Sequence, residues 1–256
     1  MTRSNEVDVA RLYHQHSRHL RARPVEAALE GDRIPLGYKS YPGAARTALP
    51  GRDFALSASL GAVLERRRSI RAYARRPLPL ETLGRLLHAS YGVRGRSVGE
   101  DRKGYERSAP SAGGLYPIEL YVATQAVDGL DDGIHHYDAR AHELERVRAG
   151  VAHPALVDLT LGQTMIDAAN LVLILTAVWA RTMFKYGQRG YRHVLLDAGH
   201  LGENLYLTAT ALGLGPAGIG GFLDAEVNAL LDLPAGEEAV YLLCVGQPRG
   251  DHGEAA

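Results

Sequence analysis

Cysteine is almost absent from this 256-residue chain, and its single copy, Cys244, rules out an internal disulfide. It lies in the apolar run 239–245, where it reads as a small core residue, and a reducing compartment, the cytosol, is expected. Net charge is missing as well, with 29 basic and 29 acidic residues in balance. Phosphate backbones and anionic bilayer surfaces call for a net basic field, so no nucleic-acid or membrane partner is expected. The longest apolar run, 171–180, is too short to cross a bilayer, and residues 1–6 carry no signal-peptide core. No strand leads into G-x-G-x-x-G and a helix, which excludes a Rossmann fold, and no internal repeat occurs. Lysine is scarce: Lys39, Lys103 and Lys185 stand against a background of arginine.

What is present is globular: 46% hydrophobic and 23% charged residues, enough for a core burying roughly three quarters of the unfolded surface. Residues 1–56 read as a lead-in, a short helix and then a Pro/Gly-rich loop that wraps the body. Residues 57–250 form the main domain and 251–256 a tail. Helices are predicted at 59–66 and 79–91, the second with Pro79 in its first turn, Leu80, Leu83, Leu86 and Leu87 at helical spacing, and Gly92 as its stop. Residues 93–110 read as an Arg/Gly/Ser loop. Strands follow at 118–125, 134–137 and 144–147, then a helix at 151–160. The nearly continuous aliphatic run 171–178 fits a strand covered on both faces. Residues 191–212 make a helix of roughly 33 Å. Its stripe is Tyr191, Val194, Leu195, Ala198, Leu201, Leu205, Thr208, Ala209 and Leu212. Leu196, Leu207 and Ala211 make the opposite face apolar too, so this helix runs through a core or packs on a partner subunit. A helix at 224–231 and a strand at 240–246 complete an α+β sandwich.

Three segments can carry chemistry. Arg67, Arg68, Ser69 and Arg71 cluster several guanidiniums and a hydroxyl, which suits a phosphate clamp; the alternative is a solvated basic face. In 110–117, Pro110 and Ser111 precede Gly113 and Gly114, which let backbone approach a flat ligand, unless this is a plain turn. Five glycines in 213–222, around Ile219, Gly220 and Gly221, suggest backbone against something planar or a tight crossover. No metal site is expected: His135 and His136 point to opposite strand faces, and His193 and His200 lie about 10 Å apart by helical rise. Asp131 and Asp132 read as a solvated turn. Lys185 is singled out because lysine can lose its proton when desolvated, whereas arginine effectively cannot, and Tyr186 beside it can relay through its phenol. The alternative is a surface charge and a packing ring.

These segments, in this order, resemble the FMN-dependent nitroreductase superfamily, and more closely its SagB-type dehydrogenases, the azoline oxidases of thiazole and oxazole peptide biosynthesis. Arg67 to Arg71 match the opening flavin motif, and 108–117 the branch signature. The 134–138 and 142–144 segments, 185–192 with Asp197-Ala198-Gly199-His200, and the lead-in 13–17 and 36–42 also resemble the branch. The resemblance implies a mainly antiparallel sheet flanked by helices, in an intertwined homodimer with FMN at the interface. It implies that Arg67 and Ser69, flanked by Arg68, hold the FMN phosphate, with Arg71 near the ribityl chain and Arg249 as a C-terminal phosphate contact. It places Pro110, Ser111, Gly113 and Gly114 along the isoalloxazine from the neighbouring chain, and the Ile219, Gly220 and Gly221 backbone near flavin N5. Ordinary nitroreductases carry an acid where Gly220 stands. Lys185 and Tyr186 match the branch's Lys-Tyr pair, implying oxidation of an azoline in a modified peptide, beside a cyclodehydratase partner that makes the azoline. The alternatives are an NAD(P)H-fed nitro or quinone reductase and a flavin-binding scaffold without catalysis.

Overall fold

The structure, a computed structural model, describes residues 8–18, 38–54, 56–97 and 105–250; the tail, much of the lead-in and Lys103 lie outside the described residues. Its elements in chain order are α1 (Val9–His16), β1 (Arg46–Ala48), α2 (Leu60–Arg66), α3 (Leu80–Tyr91), β2 (Val93–Ser97), β3 (Tyr105–Arg107), β4 (Ile118–Thr124), β5 (Gly133–Asp138) and β6 (Glu143–Ala149). These are followed by α4 (His153–Leu159), β7 (Leu171–Val178), α5 (Ala180–Tyr186), α6 (Arg189–Ala211), β8 (Gly215–Ile219), α7 (Asp224–Leu230) and β9 (Glu237–Gly246). Local signals set several boundaries. The Ser59 side chain accepts from the Ala62 N–H and caps α2, and α3 starts after Pro79 and ends at Gly92.

Seven strands pair in the order β1-β6-β5-β4-β7-β9-β8, every neighbour antiparallel. Side chains alternate across the sheet and so build two cores. Ile118, Leu120 and Val122 of β4 and Leu171, Leu173 and Leu175 of β7 pack under α3 and α6. Tyr121, Ala123, Val172 and Ile174 face the other way, with Leu156 of α4, Val227 of α7 and Cys244. Each fully buried large aliphatic contributes about 1.5–3 kcal/mol, so the two central strands are the best-anchored part of the molecule. The lead-in is bonded to the sheet's second face. Lys39 Nζ lies 2.6 Å from both the Glu237 carboxylate and the Tyr121 phenol, and the Tyr41 N–H donates to Glu145 at 3.1 Å.

The structure corrects the sequence expectations in four places. The segment 93–110 is not all loop: β2 and β3 pair antiparallel, from Val93 with Arg107 to Ser97 with Tyr105. The Arg/Gly/Ser composition of β2 has no strand alternation and β3 is only three residues long, fastened by the Arg107 guanidinium lying over the rings of Tyr38, Tyr91 and Tyr116. Helix α5 was not anticipated. The glycine run after α6 is largely β8, whose Gly215 and Gly218 admit the Ile70 side chain and the Tyr241 ring. On α6, Tyr191 and Leu195 leave the buried stripe and are 38% and 43% exposed, while Leu196 opposite is 58% exposed. The stripe that the core covers is Val194, Ala198, Leu201, Leu205 and Ala209.

His153, the first residue of α4, is fully buried, and that burial pulls its pKa down to about 4, with Asp132 and Asp167 opposing only in part. The unfolded chain binds a proton near pH 6.5 and the folded chain near 4, so this contribution to stability is complete above 6.5 and is lost as pH falls through that window. Urea unfolding across pH 7 to 4 should therefore show a decline that His153→Leu flattens. An identical slope in the variant would remove His153 as its cause.

Candidate active site

The loop entering β4 is wound through three left-handed residues: Gly113 and Gly114, both with φ +66, and Tyr116 with φ +47. For a residue with a β-carbon this costs roughly 1–2 kcal/mol and persists only where neighbours over-determine it. They do so at Tyr116. Its N–H donates to Ser111 Oγ at 2.8 Å, its hydroxyl accepts from the Arg107 N–H at 3.0 Å, and its carbonyl accepts from Arg181 Nη1 at 3.2 Å. Asp197 of α6 holds the other end, accepting from Ser111 Oγ at 2.5 Å and from the Ala112 N–H at 3.2 Å. Burial pushes the Asp197 carboxyl pKa up, against the pull of those two bonds.

Helix α5 brings Lys185 and Tyr186 onto this loop. A β-carbon on Gly113 would lie 2.6 Å from Tyr186 Oη and 2.9 Å from Lys185 Nζ, so both groups reach the Gly113 backbone and a side chain there would displace them. Lys185 Nζ stands 5.1 Å from the Tyr186 ring centre, and that ring meets His193 edge-on at 4.8 Å. Both Lys185 and Tyr186 are half-buried. Behind α5 runs a row of charges that sequence reading missed, buried from Arg181 to Glu145 and ending at the exposed Arg46: Arg181 to Glu119 at 2.6 Å, Glu119 to His136 at 3.1 Å, His136 to Glu145 at 2.9 Å and Glu145 to Arg46. Burial pushes the Glu119 carboxyl up, but the His136 bond and the Arg181, His136 and Arg107 charges outweigh it and hold the pKa at about 2. Burial lowers the His136 pKa, and its two carboxylate partners more than restore it, so the ring is raised above the ordinary histidine range.

The cationic segment after α2 forms a second group. Ser69 Oγ lies 3.1 Å from the Tyr206 phenol, and the Arg67 guanidinium 5.6 Å from that ring's centre. Arg68, with Arg66, opens on a cleft walled by Ile70, Thr210, Leu214 and Pro216. The Arg249 N–H donates to the Ala72 carbonyl at 2.9 Å, which sets Arg249 beside Arg71. Among the described residues Arg67, Arg68, Arg71 and Arg249 make no ion pair. Gly220 and Gly221 are exposed, and a β-carbon on Gly220 would meet nothing within 4 Å, whereas the Ile219 side chain is spent in the core. Free guanidiniums beside open backbone fit a ligand with a terminal phosphate and a planar ring, as FMN has.

The structure thus brings Ser111, Gly113, Gly114, Lys185 and Tyr186 together, with Pro110 exposed at the loop's start, and gathers Arg67 and Ser69 around Tyr206. It does not join these groups in one chain. Their anchors on α6, Asp197 and Tyr206, are nine residues apart, roughly 14 Å by helical rise. No group of three His, Cys, Asp or Glu among the described residues could hold a metal, and none of their helices is long and apolar enough to cross a membrane.

The nitroreductase family profile matches residues 64–247, and the chain belongs to that family. Membership places it among oxidoreductases of a class that typically binds FMN. It is 38% identical over 185 residues to a protein of Methanocaldococcus jannaschii named for nitroreductase, covering 72% of this chain and 89% of that one. It is 27% identical over 132 residues to the microcin B17-processing protein of Escherichia coli, covering 50% of this chain and 48% of that one, so it spans about half that relative's length. A crystal structure named for nitroreductase from Anabaena variabilis superposes with a TM-score of 0.74 at 28% identity, over 97% of this chain and 49% of that one.

Ser111 carries the loop's local bonding, so Ser111→Ala should destabilise the chain by about 1–3 kcal/mol, leaving Asp197 buried with one bond fewer and Tyr116 with two of its three bonds. The urea midpoint would measure this, and an unchanged midpoint would show that the loop is held by other contacts.

Proposed function

We propose that this chain is an FMN-dependent dehydrogenase that oxidises azoline rings, thiazoline or oxazoline, to azoles in a modified peptide. One observation carries it most: an amine and a phenol, Lys185 Nζ and Tyr186 Oη, converge on a residue that has no side chain. Both groups end directly on the Gly113 backbone, so a small ring brought to that edge of the loop meets the amine and the phenol together. Similarity to the microcin B17-processing protein supports a peptide as substrate, with a cyclodehydratase as the partner that makes the azoline. Arg67, Arg68, Ser69, Arg71 and Arg249 would hold the FMN phosphate. The loop of Pro110, Ser111, Gly113 and Gly114 would lie along the ring from a second chain, opposite the backbone of Ile219, Gly220 and Gly221. Bound FMN would supply the hydride acceptor and return the electron pair to dioxygen.

The chain's own residues handle the proton. Oxidation removes two hydrogens from the azoline, one of them from the ring α-carbon as a proton, and Lys185 Nζ receives it. Tyr186 Oη bonds the ring and relays, and the His193 edge fixes the phenol's plane. Lys185→Ala and Tyr186→Phe should keep FMN yet lose azoline oxidation by about 10²–10⁴-fold, read by mass spectrometry as loss of two hydrogens per ring. Wild-type turnover in both variants would refute the assignment. Rapid bleaching of the wild-type flavin by NAD(P)H without azoline turnover would replace it with a nitro or quinone reductase. Retained FMN with neither activity would leave a scaffold.

The uncovered face of α6 supports a homodimer that completes the site. Light scattering at micromolar concentration should give twice the chain mass, and Leu196→Glu should halve it and release flavin. A flavin-loaded monomer would contradict the shared site.

A further inference from the structure

We infer that Arg181 is the residue that positions the Lys185–Tyr186 pair, by clamping the first turn of α5 to the loop below it and to the central strand. The inference rests on the proposed role of that pair in proton handling. Arg181 and Lys185 are four residues apart on α5, so their side chains leave the helix on the same side, one above the other. Arg181 Nη1 donates to the Tyr116 carbonyl at 3.2 Å and lies 2.6 Å from Glu119 Oε1. Lys185 and Tyr186 meet the same loop three residues earlier, at Gly113. One guanidinium therefore ties the base of α5 to one end of a loop whose other part faces the two functional groups.

Two further features make this contact a clamp and more than packing. The carbonyl it grips belongs to a left-handed residue with a β-carbon, Tyr116, whose conformation needs outside bonds to persist. And Glu119 is not a free-standing counter-ion. Its second oxygen accepts from His136 Nε2, whose Nδ1 is bonded to Glu145, which is in turn paired with Arg46 at the edge of the sheet. Arg181 is 4% exposed and Glu119 2%, so neither charge is relaxed by water, and the geometry is held stiffly. Helix α5 is only seven residues long and short helices have little rigidity of their own: α6 holds its last turn, where Tyr186 meets His193, and Arg181 is what fixes its first. Arg181 acts on the pair through the loop, at the Tyr116 carbonyl, and through the helix.

The test uses the FMN-loaded full chain, wild type against Arg181→Met and Arg181→Lys. It has one readout that needs no azoline. The sequence has three lysines, so competitive acetylation followed by peptide mapping reports each one separately. Arg181→Met should change the labelling rate of Lys185 severalfold, while Lys39, bound to Glu237 on the opposite face, labels as before. On a thiazoline peptide the same variant should lose kcat by about 10²-fold with little change in KM or FMN content, the size expected for misplacing catalytic groups by about 1 Å. Arg181→Lys, which keeps the charge beside Glu119, should recover part of both effects and serves alone if the methionine variant does not fold. An unchanged Lys185 labelling rate in the folded variants would overturn the inference. So would a fall in kcat that tracks loss of FMN or of folded protein, since that is what a purely structural arginine would give. A wild type inactive on azolines would sink the proposed function and leave the labelling result to decide the clamp.

Discussion

A carboxylate buried in a sheet's central strand has to be matched by charge, and Glu119 makes much of this fold answer to that requirement. Its neighbours in β4 are apolar and the strand is buried throughout, so water cannot help. Arg181 answers from α5 and His136 from β5; the histidine then needs Glu145 of β6, and Glu145 takes Arg46 of β1. Five elements that a purely apolar core would let slide are thereby set in register with one another. The row alternates in sign, so each member lowers the cost of burying the next. Replacing it with aliphatic side chains would preserve the volume and lose the alignment.

The second organising feature is α6, which acts as a ruler. Asp197 in its first half holds the strained loop before β4, and Tyr206 in its second half meets Ser69 and the Gly218 N–H. A helix buried along one face against β4, β8 and β9 does not bend to bring its ends together, so the spacing between the two polar groups is fixed. The division of labour is chemical as well as spatial. One station presents an amine, a phenol and strained backbone; the other presents guanidiniums that make no ion pair among the described residues and glycine backbone open to solvent.

Much of this was legible in the sequence wherever one periodicity dominates. The leucines of α3, the aliphatic run of β7 and the long stripe of α6 each record a local rule, and the structure follows them to within a few residues at the ends. The β2–β3 hairpin was not legible, because Arg, Gly and Ser carry no alternation and its stabilising contact is a cation among three rings from elsewhere in the chain. Helix α5 has seven residues and no room for a repeat to declare itself. Within the candidate site, Ser111, Gly113 and Lys185 could be picked out by residue type. Their partners could not: Asp197 lies 86 positions from Ser111, and Arg181 and Glu119 are joined only by the fold. The two faces of α6 were recognised as apolar, yet which residues fall on the covered one depended on a rotation that composition does not fix.

The two rims of the seven-stranded sheet have a consequence for how copies of this chain can associate. At one rim β1 is three residues long and its Arg46 is engaged by Glu143 and Glu145. At the other, Pro216 has no N–H, its carbonyl already accepts from the Ile70 N–H at 2.9 Å, and the Gly218 N–H is taken by the Tyr206 phenol at 2.6 Å. An incoming strand would find almost no ladder to extend on either side, which guards against open-ended polymerisation into fibrils. Contact between copies is thereby steered to side chains on helices, where Leu195 and Leu196 stand in water, and to closed rather than endless assemblies.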